Sequence, residues 1–395
     1  MVAAPFVAAA LVVGAWLAGL VFQAGAPWWS TAAALTVSAV AMVASKRTAV
    51  RALWFNTAFV VAALAIAVHW LDTTDERERR QQAFGDSEGL FEVDETLGVR
   101  PRAGHRTTAS LHYDGELVYD VTYTIGDDRL RIAPPAPDAT DCVLFFGGSF
   151  TFGEGVDDDE TTAWRVGTAS ADDLRTRNFG FAGYGPHQML AAIEAGLVEA
   201  APGCRPRLAV YQAVYHHVLR SAGKWSWDWH GPRYVLSGGE AVRDGHFDFA
   251  AQTSRPELVA GLPDDSFLAR QLEERPEDVG VDQVTEADVE LFHAIVATSA
   301  RRLKQRYPGV EFHVLYWDRG DSVGPVPVFG DAIEADLVSV HPVSGILPPS
   351  DDWQRDYKLP HDVHPRARTH ELMAAYVVDR ILGGEPAPQA NDRSP

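Results

Sequence analysis

Three apolar runs open the chain: Val2 to Phe22, Trp28 to Ala44 and Ala52 to Trp70. None carries a continuous polar face, and each approaches the roughly 20 residues that cross a hydrocarbon core. They predict three transmembrane helices, with Trp28, Trp29 and Trp70 at interfacial positions. A cleaved signal peptide fits less well, because no basic residue precedes the first run. Leu71 to Gln82 is charged and predicts a helical or flexible exit. From Phe91 to about Pro137 the pattern shortens to β-like pieces such as Leu117 to Ile125, divided by Gly and Asp-Gly turns. That stretch predicts a small β subdomain, or strap, ahead of the main domain.

Strand–helix alternation then takes over, the pattern of an α/β layer fold. Cys142 to Phe146 is a continuous apolar run, as a strand buried on both faces requires. Arg177 to Phe181, Leu208 to Tyr215 and Phe312 to Trp317 predict further strands. Helices are predicted from His187 to Ala200, from a capping-box-like start at Thr285 and Asp288 to Tyr307, and from Thr369 to Leu382. Residues 224–284 form an insertion with a hairpin, in which Tyr234 to Leu236 and Ala241 to Val242 flank Ser-Gly-Gly-Glu. The reading is therefore membrane helices over 1–70, linker and strap over 71–137, an α/β domain over 138–383 and a disordered tail over 384–395.

Charge sets the topology. Lys46, Arg47 and Arg51 all fall between the second and third runs, which places that loop in the cytoplasm and everything after Trp70 outside. All 54 acidic residues lie beyond residue 70, against 31 of the 34 basic ones. So acidic a domain repels phosphate backbones, which excludes nucleic acid as a partner. Attachment to the lipid bilayer is expected through the apolar segments, not through a basic patch. The outside is oxidising, and the chain has two cysteines, Cys142 and Cys204. A disulfide between neighbouring strands and two separate buried thiols both fit.

Two segments carry candidate chemistry. In VLFFGGSFTFGEG, residues 143–155, Ser149 follows a buried strand and a Gly-Gly turn. That is where open α/β sheets place their sites. No Lys follows, so this is not a phosphate-binding loop, and Thr151 breaks the nucleophile-elbow pattern. In HDVHP, Asp362 and His364 stand just before the last helix. A serine hydroxyl needs an imidazole to take its proton and a carboxylate to orient that imidazole, and one loop supplies both. A competing reading puts zinc on His361, Asp362 and His364 with His216 or His217, but it leaves the Ser149 segment unexplained. Trp225, Trp227 and Trp229 alternate in the insertion, and either stack on sugar rings or pack the insertion onto the core.

Together these segments resemble the SGNH/GDSL hydrolase family over residues 140–382. GGSFTFGEGV is similar to its first block, with Gly148 where Asp usually stands. NFGFAGYG is similar to its second, with Asn178 and Gly183 at the family spacing, and DVHP to its last. The resemblance implies a flavodoxin-like three-layer core with a parallel sheet, and a Ser149–His364–Asp362 triad. It also implies an oxyanion hole from the backbone N–H groups of Ser149 and Gly183. The Asn that normally completes this hole is missing. His216-His217 stand in its place, with His216 aligning with the Asn itself, and either ring can donate a hydrogen bond. Arg220, Trp225 and Trp227 are candidates for holding substrate. The expected activity is that of a serine esterase or O-acyltransferase needing no cofactor. Its expected substrate is a small-molecule or glycan ester outside the cytoplasmic membrane, such as acylated envelope polysaccharide. A non-catalytic SGNH-fold glycan-binding protein of envelope assembly is the alternative.

Overall fold

The structure is a computed structural model. It describes residues 80–85, 89–170, 174–198, 204–224, 230–247, 284–319 and 336–383, with five isolated positions before them. Apart from those positions the three predicted membrane helices lie outside the described residues, as do Trp225, Trp227, Trp229 and the tail after Gly383. Among the described residues no helix is long and apolar enough to cross a membrane.

Residues Gln82–Pro395 form one compact unit around a five-stranded sheet. Its strands are β6 (Asp141–Gly147), β7 (Leu174–Asn178), β8 (Arg205–Ala213), β11 (Glu311–Tyr316) and β12 (Ser339–Pro342). All neighbours run parallel, in the order β12-β11-β8-β6-β7. Counted from β6 as the first, this is the flavodoxin-like order 2-1-3-4-5. Val143, Leu144, Phe145 and Phe146 are all buried because β6 is covered on both faces. One face packs beneath α3 (Pro186–Glu194) and α5 (Glu286–Arg306), the other beneath α2 (Thr162–Ala169) and α7 (Ala367–Tyr376). Thr285 caps α5 through the expected capping box with Asp288.

Several boundaries differ from the sequence reading. The second strand ends at Asn178 instead of running to Phe181, because the chain turns there to build the site. The third ends at Ala213, and His216 begins α4 (His216–Ser221). Neither α2 nor β12 had been anticipated. Cys142 and Cys204 form a disulfide, with Cα atoms 5.8 Å apart, joining the start of β6 to the approach of β8. The predicted hairpin is present as antiparallel β9 (Pro232–Ser237) and β10 (Glu240–His246). It packs on the helical layer, where Tyr234 donates to Glu194 at 2.8 Å.

The strap comprises the antiparallel pair β2 (Phe91–Asp94) and β3 (Gly98–Pro101), and a second sheet of order β1-β4-β5. The strands of that sheet are β1 (Arg80–Phe84), β4 (Arg106–Tyr113) and β5 (Glu116–Thr124). Asp157 and Asp158 accept from the β5 amides of Thr122 and Thr124 at 2.8 and 3.0 Å. These carboxylates fix the strap to the segment that follows Ser149.

Candidate active site

The site lies at the carboxyl ends of β6 and β8, where the strand order reverses and open α/β sheets form a crevice. Gly147 adopts φ 149 on leaving β6, and Ser149 opens the short helix α1 (Ser149–Phe152). From the other end of the chain comes the loop of residues 358–365, closed by the pairing of Lys358 with Pro365. Gln354 Nε2 also donates to the Leu359 and Asp362 carbonyls at 3.1 and 2.7 Å.

That loop brings the three predicted residues together. His364 Nε2 stands 2.8 Å from Ser149 Oγ, and His364 Nδ1 stands 2.5 Å from Asp362 Oδ1. The same carboxylate accepts from the His364 amide at 2.8 Å, so it fixes both ring and backbone. Both ring nitrogens are thus engaged, which does not suit the zinc reading. The Phe150 ring packs at 5.3 Å on the imidazole.

Asn178 and Gly183 sit in the turn after β7. The Asn178 side chain donates to the Thr151 carbonyl at 2.9 Å and accepts from the Gly180 amide at 3.0 Å. Gly180 approaches so closely that a Cβ there would lie 2.6 Å from the Thr151 Cβ. Gly183 takes φ 84, a left-handed conformation that costs a side-chain-bearing residue energy.

The two histidines separate because they begin a helix instead of ending a strand. A Cβ on Gly148 would lie 3.0 Å from His217 Nε2, and 2.9 Å from both Arg220 Nη1 and the Tyr184 carbonyl. His217 therefore reaches the backbone beside Ser149. The same crowding accounts for Gly148 where the family pattern has Asp: ring and guanidinium fill the space a side chain would need. His217 Nδ1 stands 2.6 Å from the Tyr211 hydroxyl. Burial pushes that phenol up, while burial and then the Arg220 charge hold the imidazole well below its ordinary value, so both are neutral. A buried hydroxyl is best satisfied by donating, here to Nδ1, which leaves the imidazole proton on Nε2, facing Gly148. The half-buried His216 is pushed down to about 4, by burial and then by the Arg220 and Lys358 charges. Arg220, expected to hold substrate, is 8% exposed and donates to the Tyr184 carbonyl at 2.8 Å.

Three contributors had not been singled out. Tyr211 lies in an apolar strand and reads as core. Arg131, fully buried, donates to the Phe152, Gly153 and Val156 carbonyls at 2.8, 2.6 and 2.7 Å. Glu154, inside the first block, places Oε2 3.5 Å from His364 Nε2. The glutamate stands five residues after Ser149, between glycines four and six residues after it, a spacing that could have marked it.

No family model and no curated protein matches the chain. Among solved structures it is similar to a G-D-S-L family protein from Desulfitobacterium hafniense DCB-2, at 10% identity over 60% of this chain and 97% of that one, TM-score 0.31. A carbohydrate esterase with divergent catalytic and non-catalytic binding functions is similar at 10% identity over 77% and 97%, TM-score 0.37. An acetyl xylan esterase from the rumen bacterium Butyrivibrio proteoclasticus is similar at 13% identity over 69% and 68%, TM-score 0.35. With each TM-score below 0.5, these likenesses assign no residue role and no substrate to this chain.

Proposed function

We propose that this chain is a serine esterase or O-acyltransferase of the SGNH/GDSL type, acting outside the cytoplasmic membrane on an ester such as acylated envelope polysaccharide. One observation carries the reading: Ser149 Oγ and Asp362 Oδ1 flank the two nitrogens of one imidazole, at 2.8 and 2.5 Å. Ser149 Oγ attacks the acyl carbonyl while His364 Nε2 takes its proton. Asp362 holds the ring and stabilises the imidazolium. The backbone N–H groups of Ser149 and Gly183, with His217 Nε2–H, receive the oxyanion. The imidazolium then protonates the leaving alcohol. Water completes hydrolysis, or a sugar hydroxyl completes transfer. Arg220 is assigned to holding the Tyr184 turn, and Trp225 and Trp227 remain candidates for sugar stacking. The test of the class is turnover of short-chain chromogenic esters. Turnover by the wild type and none by Ser149→Ala is expected, whereas equal rates in both would refute the assignment.

His217 as a neutral donor has its own consequence. His217→Ala should lower kcat roughly 100- to 1000-fold with little change in KM, because the donor acts mainly in the transition state. His216→Ala should remain near normal. The opposite pattern would move the role to His216.

Location rests on the charge asymmetry of the first 70 residues and on the Cys142–Cys204 disulfide, a bond suited to an oxidising compartment. An impermeant thiol reagent applied to intact cells should label an engineered cysteine at Asp72, and reach one at Thr48 only after lysis. The reverse order of labelling would overturn the topology.

A further inference from the structure

We infer that Glu154 orients the acyl acceptor, the water or sugar hydroxyl that takes the acyl group from Ser149. This rests on the esterase reading above and adds to it a residue acting in the second half of the reaction.

The first support is position. His364 Nε2 faces both Ser149 Oγ at 2.8 Å and Glu154 Oε2 at 3.5 Å. Once Ser149 carries the acyl group, its oxygen has no proton to offer, and Nε2 must turn to the acceptor. A water, or a pair of neighbouring sugar hydroxyls, presents two O–H groups. One can meet Nε2 while the other donates to the Glu154 carboxylate. In the step, the acceptor oxygen bonds to the acyl carbon and its proton passes to His364 Nε2. The bond from that carbon to Ser149 Oγ then breaks, and Nε2 returns the proton to Oγ. Glu154 neither gains nor loses a proton. Its contribution is to hold the acceptor in an attacking geometry.

The second support is how firmly this carboxylate is held. Glu154 stands between Gly153 (φ 86) and Gly155 (φ 80), both left-handed. Its own amide donates to the Ser149 carbonyl at 3.0 Å. Arg131 donates to the Gly153 carbonyl at 2.6 Å, and the Gly155 amide donates to the Tyr123 hydroxyl at 2.8 Å. A Cβ on Gly155 would lie 2.3 Å from Leu359 Cδ1 and 3.1 Å from the Tyr119 ring. Strap residues thus fix the backbone on both sides of Glu154, and its side chain is only 16% exposed. A solvated surface glutamate needs none of this.

The test compares the wild type with Glu154→Gln and Glu154→Asp on p-nitrophenyl acetate, with acid quenching and intact-mass measurement of acyl-Ser149. Glu154→Gln is expected to lower steady-state turnover about 10- to 100-fold while raising the fraction of enzyme trapped as acyl-Ser149. It should also reduce partitioning to added glycerol. Glu154→Asp, which keeps the carboxylate, should recover most of the turnover. Unchanged turnover, a smaller trapped fraction or undiminished partitioning to glycerol in Glu154→Gln would overturn the inference. Absence of any Ser149-dependent turnover in the wild type would instead overturn the esterase reading beneath it.

Discussion

His364→Ala is expected to lower kcat for ester turnover by about 10⁵- to 10⁶-fold, with the fold intact. The imidazole is the group 2.8 Å from Ser149 Oγ, and a serine hydroxyl without a base is a poor nucleophile at neutral pH. Glu154 is no substitute, because its carboxylate faces the ring that is lost, 3.5 Å from Nε2. Asp362→Asn should cost about 10⁴-fold, since an amide at 2.5 Å from Nδ1 favours the wrong tautomer. Ser149→Ala combined with His364→Ala should be no worse than either alone, as the two act as a unit. Steady-state kinetics on a chromogenic ester, with a melting curve for each variant, checks all three. A loss of less than tenfold in Asp362→Asn would contradict the role assigned to that carboxylate.

The second large effect is on stability. Arg131→Ala is expected to cost about 3–5 kcal/mol, the range for breaking one side of a buried ion pair. The guanidinium is fully buried, pairs with Asp158 at 3.0 Å, and lies over the Tyr123 and Phe152 rings at 4.6 and 4.7 Å. Burial lowers its pKa and the Asp158 charge opposes that, leaving a charged group that four backbone carbonyls also need. Deletion leaves Asp158 without its cationic partner and takes one donor from each of those carbonyls. At roughly 2–4 °C per kcal/mol for a domain of this size, Tm should fall by about 10 °C. Arg131→Lys should recover little, because one ammonium cannot reproduce the planar fork. A shift under about 2 °C in Arg131→Ala would show that the strap is not locked through this residue.

What the sequence made legible follows from how strongly local pattern constrained each piece. The apolar run of β6, the capping box of α5 and the Gly-Gly hairpin all form within a few residues of themselves. The same holds for Ser149 after its Gly-Gly turn and for the Asp362–His364 loop. The limits of β7 and β8 were less legible. Strand β7 reads Leu-Arg-Thr-Arg-Asn, an edge strand with half-buried arginines and no apolar alternation. The apolar run of β8 continues past Ala213 into the turn that starts α4. That shift decided which histidine reaches Gly148. Arg131 was invisible for a different reason. Its partners lie 9 to 27 residues away, and nothing in its neighbourhood distinguishes it from an exposed arginine. The strap therefore looked like an appendage, although it holds the loop that carries Glu154.

The most direct test of the central claim is active-site labelling of the full chain with a fluorophosphonate, read by peptide mass. The account predicts one stoichiometric adduct on Ser149 in the wild type. Ser149→Ala should give none, and His364→Ala should react far more slowly. A wild-type protein that stays unlabelled, or an adduct that persists in Ser149→Ala, would contradict it.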